Sequence, residues 1–201
     1  MTQNRPSATR SRRAFDRDKA LATALREFWS HGYEATSVAA LTKAMGINPP
    51  SLYAAFGDKR RLFEEAVRLY QRTHGRVLSP EAPDARTAIQ DMLRQLATDY
   101  TDARHPPGCM IVTAATNCGP DSHEVELELR AMREAAKAAI AARIRQDVEA
   151  RRLPPETDAA GLATFYASII QGMSQQARDG ASCSELEQVV DCAMRAWPDP
   201  V

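Results

Sequence analysis

Apolar residues recur along most of this chain at the three-and-four spacing of an amphipathic helix, and no segment shows the two-residue alternation of a half-buried strand. Leu21, Ala24, Leu25 and Phe28 form the first stripe, closed by Gly32. Ser37 is placed to cap a short second helix that runs through Met45 and breaks at Gly46, and Asn48 opens a third that ends near Phe56 and Gly57. Asp58 can cap a fourth, with Leu62, Phe63, Ala66, Leu69 and Tyr70 on one face, running to Gly75 or Leu78. Beyond a loop with Pro80 and Pro83, a fifth helix over 84–102 carries Ile89, Met92, Leu93, Leu96 and Tyr100. Pro106, Pro107 and Gly108 interrupt the chain, and a short apolar helix from Cys109 to Ala115 ends at Cys118-Gly119-Pro120. Asp121 and Glu124 have the spacing of a capping box and open a long helix to Arg152, with the seam Val125, Leu129, Met132, Ala136, Ile140, Ile144 and Val148. Leu153-Pro154-Pro155 stops it. Thr157 or Asp158 caps an eighth helix to Asp179, and a ninth runs from Ser184 to Trp197. The pattern predicts an all-α fold of about nine helices.

Three short helices followed by a longer one within about 60 residues is the layout of a helix-turn-helix head. The domains expected are a basic arm without periodicity over 1–15, a reading head over 16–63 with a connecting helix over 58–78, and a second domain over 79–201. Charge changes the picture in the same direction. The chain is formally neutral, yet residues 1–61 carry 11 Lys and Arg against 5 Asp and Glu, and the remainder carries 15 against 21. A basic first third on an acidic body suits a polyanion partner.

The third helix has an explicit start. Asn48 can cap it through the free N–H of Ser51, and Pro49 and Pro50 are tolerated in a first turn whose amides would be unpaired anyway. Two prolines also remove two amide donors from the helix tip, so contacts to base edges fall to the side chains of Asn48 and Ser51 and to the proline rings against a thymine methyl. The double proline reads equally well as a helix start and nothing more. Lys43 adds charge on the second helix.

The run Gly32-Tyr33, Thr36-Ser37-Val38, Leu41, Ala44-Met45-Gly46-Ile47, Ser51-Leu52-Tyr53, Phe56, Lys59 and Leu62-Phe63 resembles the N-terminal signature of the TetR family of transcriptional regulators. The stretch from Leu153 to Trp197 is similar to one TetR subgroup, through Gln171-Gly172-Met173, Gln175, Ala177-Arg178 and Gly180-Ala181. Thr42 departs from the alanine usual in the second helix, and is small enough to let two helices cross. The resemblance implies a helix-turn-helix head joined to a ligand-binding and dimerisation domain. It implies phosphate contacts from Thr36 or Ser37, Tyr53 and Lys59, with Tyr53 read alternatively as a core aromatic. It implies a repressor released from a palindromic operator by a small molecule or thiol-reactive signal, with double-stranded DNA and a second copy of the chain as partners.

The resemblance also places a ligand pocket among helices four to eight, with Tyr70, Met92, Leu96, Tyr100, Met110, Thr113, Phe165 and Tyr166 as apolar or aromatic candidates and His74 and Asn117 as polar ones. A four-helix dimer interface from the last two helices would use Phe165, Ile169, Gly172 and Met173 with Val189, Val190, Ala193, Met194 and Trp197; the same stripes could instead bury within one subunit. Cys109 follows Pro107-Gly108 at a helix start, where the dipole favours a thiolate; it is either a trigger thiol or a small buried packing group. It cannot pair with Cys118 across one straight helix, since nine residues rise about 13 Å. The four cysteines form no CxxC pair and no Cys/His cluster, so neither metal nor cofactor is expected. The histidines show no triad spacing with Cys109, so no enzyme activity is expected. Without an 18-residue apolar run or an apolar stretch behind the N-terminal arginines, a cytoplasmic protein that does not enter membranes is expected. The alternative of a DNA-bound architectural protein without an effector would have a fully packed C-terminal core.

Overall fold

The computed structural model describes residues 16–116 and 118–199. The expected arm over 1–15 and Asn117 lie outside the described residues. Among the described residues the fold is all-helical: α1 Arg17–His31, α2 Val38–Met45, α3 Pro49–Phe56, α4 Lys59–His74, α5 Ala85–Tyr100, α6 Met110–Thr113, α7 His123–Glu149, α8 Ala159–Arg178 and α9 Cys183–Met194.

Local chemistry fixes most of the starts. Asp16, Ser37, Asn48, Asp58, Asp84 and Asp158 each accept a backbone N–H three residues on. Ser182 and Glu185 form a reciprocal capping box at α9. The box expected from Asp121 and Glu124 does not form. A 3-10 turn over Pro120–Ser122 takes that stretch, and α7 begins at His123 with no side-chain cap. α4 stops at His74, where the N–H of Gly75 closes the last turn on Gln71. The apolar run after Cys109 yields a single turn, Met110–Thr113, rather than a helix to Ala115.

Two hydrophobic cores result. The first joins α1 to α4 and is closed by Met110, Ala114, Ala115, Val125 and Leu129. At its centre Phe28 meets Phe63 edge-to-face at 5.0 Å. The second packs α5, the later half of α7, α8 and α9 around Leu93, Ile140, Ile144, Tyr166 and Val190. The sequence boundary near residue 79 falls between α4 and α5, yet α6 and the start of α7 belong to the core of the head. Cys109 packs against both cores.

The second core contains one buried carboxylate. Asp147, 2% exposed, accepts from the N–H of Ala85 at 2.6 Å, from Arg143 at 2.7 Å and from Arg152 at 3.0 Å. Arg143 also donates to the carbonyl of Ala82. This network pins the start of α5 to the end of α7. Burial alone would raise the Asp147 pKa, but the Ala85 amide and the two guanidinium groups outweigh it and hold the group below its ordinary value.

A carboxylate with a depressed folded-state pKa contributes stability above its unfolded value of about 3.9 and loses it as pH falls through the folded value. Asp147→Ala is expected to cost about 3 kcal/mol at neutral pH by leaving two cations and a buried amide without their acceptor. In urea titrations the gap between wild type and variant should narrow steadily below about pH 4. A gap that did not change with pH would show that the carboxylate charge is not what holds the junction.

Candidate functional site

α3 stands at the outside of the head, its inner face held by Leu52 and Phe56 and its outer face free. The chain reaches it through Gly46, which takes a left-handed conformation (φ 68°) and turns its N–H back onto Lys43 and Thr42. Asn48 accepts from the N–H of Ser51 at 2.9 Å through its side-chain oxygen, which leaves the amide NH2 to face outward. Asn48, Pro49 and Pro50 are exposed and Ser51 is half-buried. Tyr53 is 49% exposed, so its ring is not part of the core. Ser37 and Lys43 are exposed at opposite ends of α2.

Two side chains differ from the simplest sequence reading. Thr36 is 1% exposed and its hydroxyl donates to the Gly32 carbonyl at 2.6 Å, so it holds the α1–α2 turn together and has no face to offer a phosphate. Lys59 is half-buried, with its ammonium 4.2 Å from the centre of the Tyr33 ring. Burial pushes the Lys59 pKa below its ordinary value, opposed by the carboxylate of Glu34. Thr42 is buried, with its hydroxyl satisfied by the Val38 and Ala39 carbonyls, so the departure at that position is accommodated within α2.

A cavity of about 250 Å³ opens among α4, α5, α7 and α8, with α6 on the side facing the head. Tyr70, His74, Met92, Leu96, Tyr100 and Cys109 line it. Met110 does not; it is fully buried in the core of the head. Thr113 turns its hydroxyl back to the Cys109 carbonyl. Tyr166 is buried against Phe165 and Trp197 and donates to the Ala193 carbonyl at 3.3 Å. Phe165 points away from the cavity, 37% exposed. The lining also includes Met132 of the α7 seam, together with Ile111, Arg133, Lys137, Ile170 and Gln171, none of which stood among the expected pocket residues. Arg133 and Lys137 sit one position beyond the seam residues Met132 and Ala136, a place where a solvated charge is the ordinary expectation.

The Cys109 sulfur accepts a hydrogen bond from the Tyr70 hydroxyl at 3.3 Å, and its N–H donates to the Ser174 hydroxyl at 2.8 Å. Burial pushes the Tyr70 and Tyr100 phenols far above their ordinary range, and the neighbouring thiol adds to the effect, so both stay protonated at neutral pH. The helix dipole invoked for Cys109 has little substance here, since α6 is a single turn. What faces the sulfur is a phenol. Gly108 approaches α8 so closely, at φ 75°, that a Cβ there would lie 2.5 Å from the Ser174 carbonyl oxygen.

On the far side of the second core, Phe165, Ile169, Val189 and Cys192 flank an open apolar groove between α8 and α9, rimmed by Glu185 and Gln188. Gly172 also faces outward. Met173, Val190, Ala193 and Met194 do not; they are buried inside one subunit, and Trp197 packs half-buried against Tyr166. Of the two stripes, only the outer edge remains for a second copy.

The family model described as bacterial regulatory proteins of the tetR family matches residues 20–66, and the tetracyclin repressor-like C-terminal domain matches residues 85–193, more than half of the chain. The chain belongs to the TetR family. The HTH-type transcriptional repressor ComR of Escherichia coli (strain K12) is 35% identical over 193 residues, covering 94% of this chain and 92% of that protein. The repressor BdcR of the same organism is 30% identical over 87% of this chain and 85% of its own length. Among solved structures, a cysteine mutant of the TetR family regulator CifR, in complex with a 26-bp double-strand operator DNA, matches with a TM-score of 0.87 and 43% identity over 97% of this chain and all of that one. The TetR family is one of transcriptional regulators, with an N-terminal helix-turn-helix and a C-terminal helical domain, which is the architecture found here.

The two readings of Thr36 separate in one variant. Thr36→Val should cost about 1–2 kcal/mol in stability by stripping the Gly32 carbonyl of its donor, with no change in the salt dependence of DNA binding. A salt slope that fell by about one charge equivalent with stability intact would restore Thr36 as a phosphate contact.

Proposed function

We propose that this chain is a homodimeric repressor that sets two α3 helices into successive major grooves of an inverted-repeat operator and lets go when an effector occupies the cavity beside Cys109. The observation that carries the reading is the outward α3 face. Asn48, Pro49, Pro50 and Tyr53 project from a rigidly packed head, and no other described element covers them. Direct readout falls to Asn48, Ser51 and the proline rings. Ser37, Lys43, Tyr53 and Lys59 take the backbone phosphates. The basic balance of residues 1–61 adds the sequence-independent attraction.

One such head reads few base pairs, and a two-fold pair reads an inverted repeat. The α8–α9 groove supplies the face for the pair, through Phe165, Ile169, Gly172 and Val189. The operator complex of CifR and the repressor names of ComR and BdcR support the same reading. No helix among the described residues is long and apolar enough to cross a membrane, in keeping with a cytoplasmic regulator. The architectural alternative calls for a filled core and is disfavoured by the cavity. Cys109 serves as trigger or as one wall of the effector site.

Selection from random duplexes should return an inverted repeat, bound by a species of twice the chain mass in light scattering. A monomer with no preference for any duplex over heparin would overturn the proposal. Lys59→Ala should weaken binding to all duplexes alike and lower the salt slope by about 1. Asn48→Ala should cost about 1–3 kcal/mol at particular base pairs, and a further ~1 kcal/mol in stability through the lost cap.

For the thiol, Cys109→Ser should abolish release of the selected duplex by peroxide or N-ethylmaleimide. Release that persisted in the variant would assign the sensing chemistry elsewhere.

A further inference from the structure

The cavity lining is asymmetric in charge. Arg76, Arg133 and Lys137 contribute to it, and no Asp or Glu does. Arg76 is taken by Asp99, and Lys137 pairs with the exposed Glu134 on its own helix at 2.7 Å. Arg133 has no carboxylate at ion-pair distance among the described residues. Its Nη1 donates to the carbonyl of Ile111 at 2.8 Å, inside the single turn of α6. The remaining walls, among them Met92, Leu96, Ile140 and Ile170, are apolar.

A guanidinium has five N–H donors in a planar fork suited to a carboxylate, and Arg133 commits only one, to a neutral acceptor. A neutral ligand filling the cavity would strip water from that cation and return nothing. An amine would add a like charge. A ligand with one anionic end and an apolar body matches both parts of the lining.

The same arginine connects the cavity to the head. Ile111 lies three residues before Ala114, whose carbonyl accepts the N–H of Tyr33 at 2.7 Å. Gly32 packs directly on that carbonyl, where an added Cβ would sit 3.2 Å away. Tyr33 in turn carries Lys59 over its ring at the start of α4. Arg133, α6, the α1–α2 turn and α4 therefore form one continuous path of hydrogen bonds and packed groups.

We propose that the effector is a small amphiphilic anion of the medium-chain carboxylate class, and that it acts by drawing Arg133 off the Ile111 carbonyl. Lys137, one turn along α7, is the second cation of the anion site. Loss of the Ile111 contact frees α6 to move, and the bond from Tyr33 to Ala114 passes that movement to the head. The effector thus binds the released form better than the DNA-bound form, which is the difference in affinity that any ligand-driven shift requires. This rests on the cavity being the effector site.

The test compares octanoate, octan-1-ol and octylamine on the full chain, by thermal shift and by release of the duplex returned by selection. Octanoate should raise the Tm and release the duplex at a concentration at least about tenfold below the other two. Lys137→Gln should raise the octanoate concentration needed by about tenfold. Arg133→Gln should bind the duplex weakly without any ligand, and octanoate should change it no further. Ala167→Phe, which fills the cavity, should abolish octanoate binding.

Octan-1-ol acting as well as octanoate would overturn the anion assignment and leave the cavity as effector site. Octanoate binding that survived in Ala167→Phe would overturn the cavity itself. Arg133→Gln with wild-type duplex affinity and an intact octanoate response would overturn the α6 path. A wild-type chain that bound no duplex at all would instead count against the repressor reading.

Discussion

The indole N–H of Trp29 donates to the carbonyl of Gly108 at 3.1 Å, and that contact ties the head to the loop on which the cavity side of the molecule is built. Trp29 is buried in the head on α1, yet its partner belongs to the loop that leads into α6. The loop is fixed from the other side by α8. Ser174 accepts the N–H of Cys109, and Arg178 reaches past Gly108 to the Trp29 and Ser30 carbonyls at the end of α1. Those carbonyls are ones a helix end leaves unpaired, so a guanidinium from α8 acts as a cap for α1. The backbone at Gly108 must pass close to Ser174 for this to close, and only glycine permits both the approach and the positive φ. Tyr70, His74 and His105 pack their rings around the same indole. Burial and the neighbouring His105 push the His74 pKa below its ordinary value, which favours the neutral ring in the aromatic cluster.

The division of labour in the head follows from its local chemistry. Prolines at the first two positions of α3 leave its tip without amide donors, so DNA must be read with side chains. The groups proposed to face phosphates lie at the start of α2, on α2 and α3, and at the start of α4. Lys59 is braced by the Tyr33 ring rather than waving free, which reduces the conformational freedom lost on meeting a phosphate.

What the sequence made most legible was decided within a few residues, the box at Asp121 and Glu124 being the exception. The caps at Ser37, Asn48 and Asp58, the turn at Gly46 and the stripes of α1 and α4 are all local, and the structure has them where periodicity and cap chemistry put them. A stripe, however, marks a face and not its partner. Met173 and Val190 suited either a second subunit or the core of their own, and they fill their own because α5 packs on both α8 and α9. Of the alternatives Thr36 and Ser37, the burial of the turn leaves Ser37 exposed and folds the Thr36 hydroxyl back one turn to Gly32, a choice residue type does not reveal. Arg133 was invisible because its neighbour, the Ile111 carbonyl, arrives from a different part of the chain. Family resemblance carried the domain plan further than periodicity could, since it encodes such distant approaches without deriving them.

α7 belongs to both halves of the molecule. Val125 and Leu129 near its start close the core of the head, and Ile140 and Ile144 near its end sit in the other core. A single unbroken rod of 27 residues, about 40 Å long, thereby makes the two bodies share one fate. A head cut off after α4 would be left with a bare greasy face where Met110, Ala114 and Leu129 once lay. The head and the C-terminal helices are accordingly regions of one cooperative object, not modules that evolution or an engineer could shuffle freely.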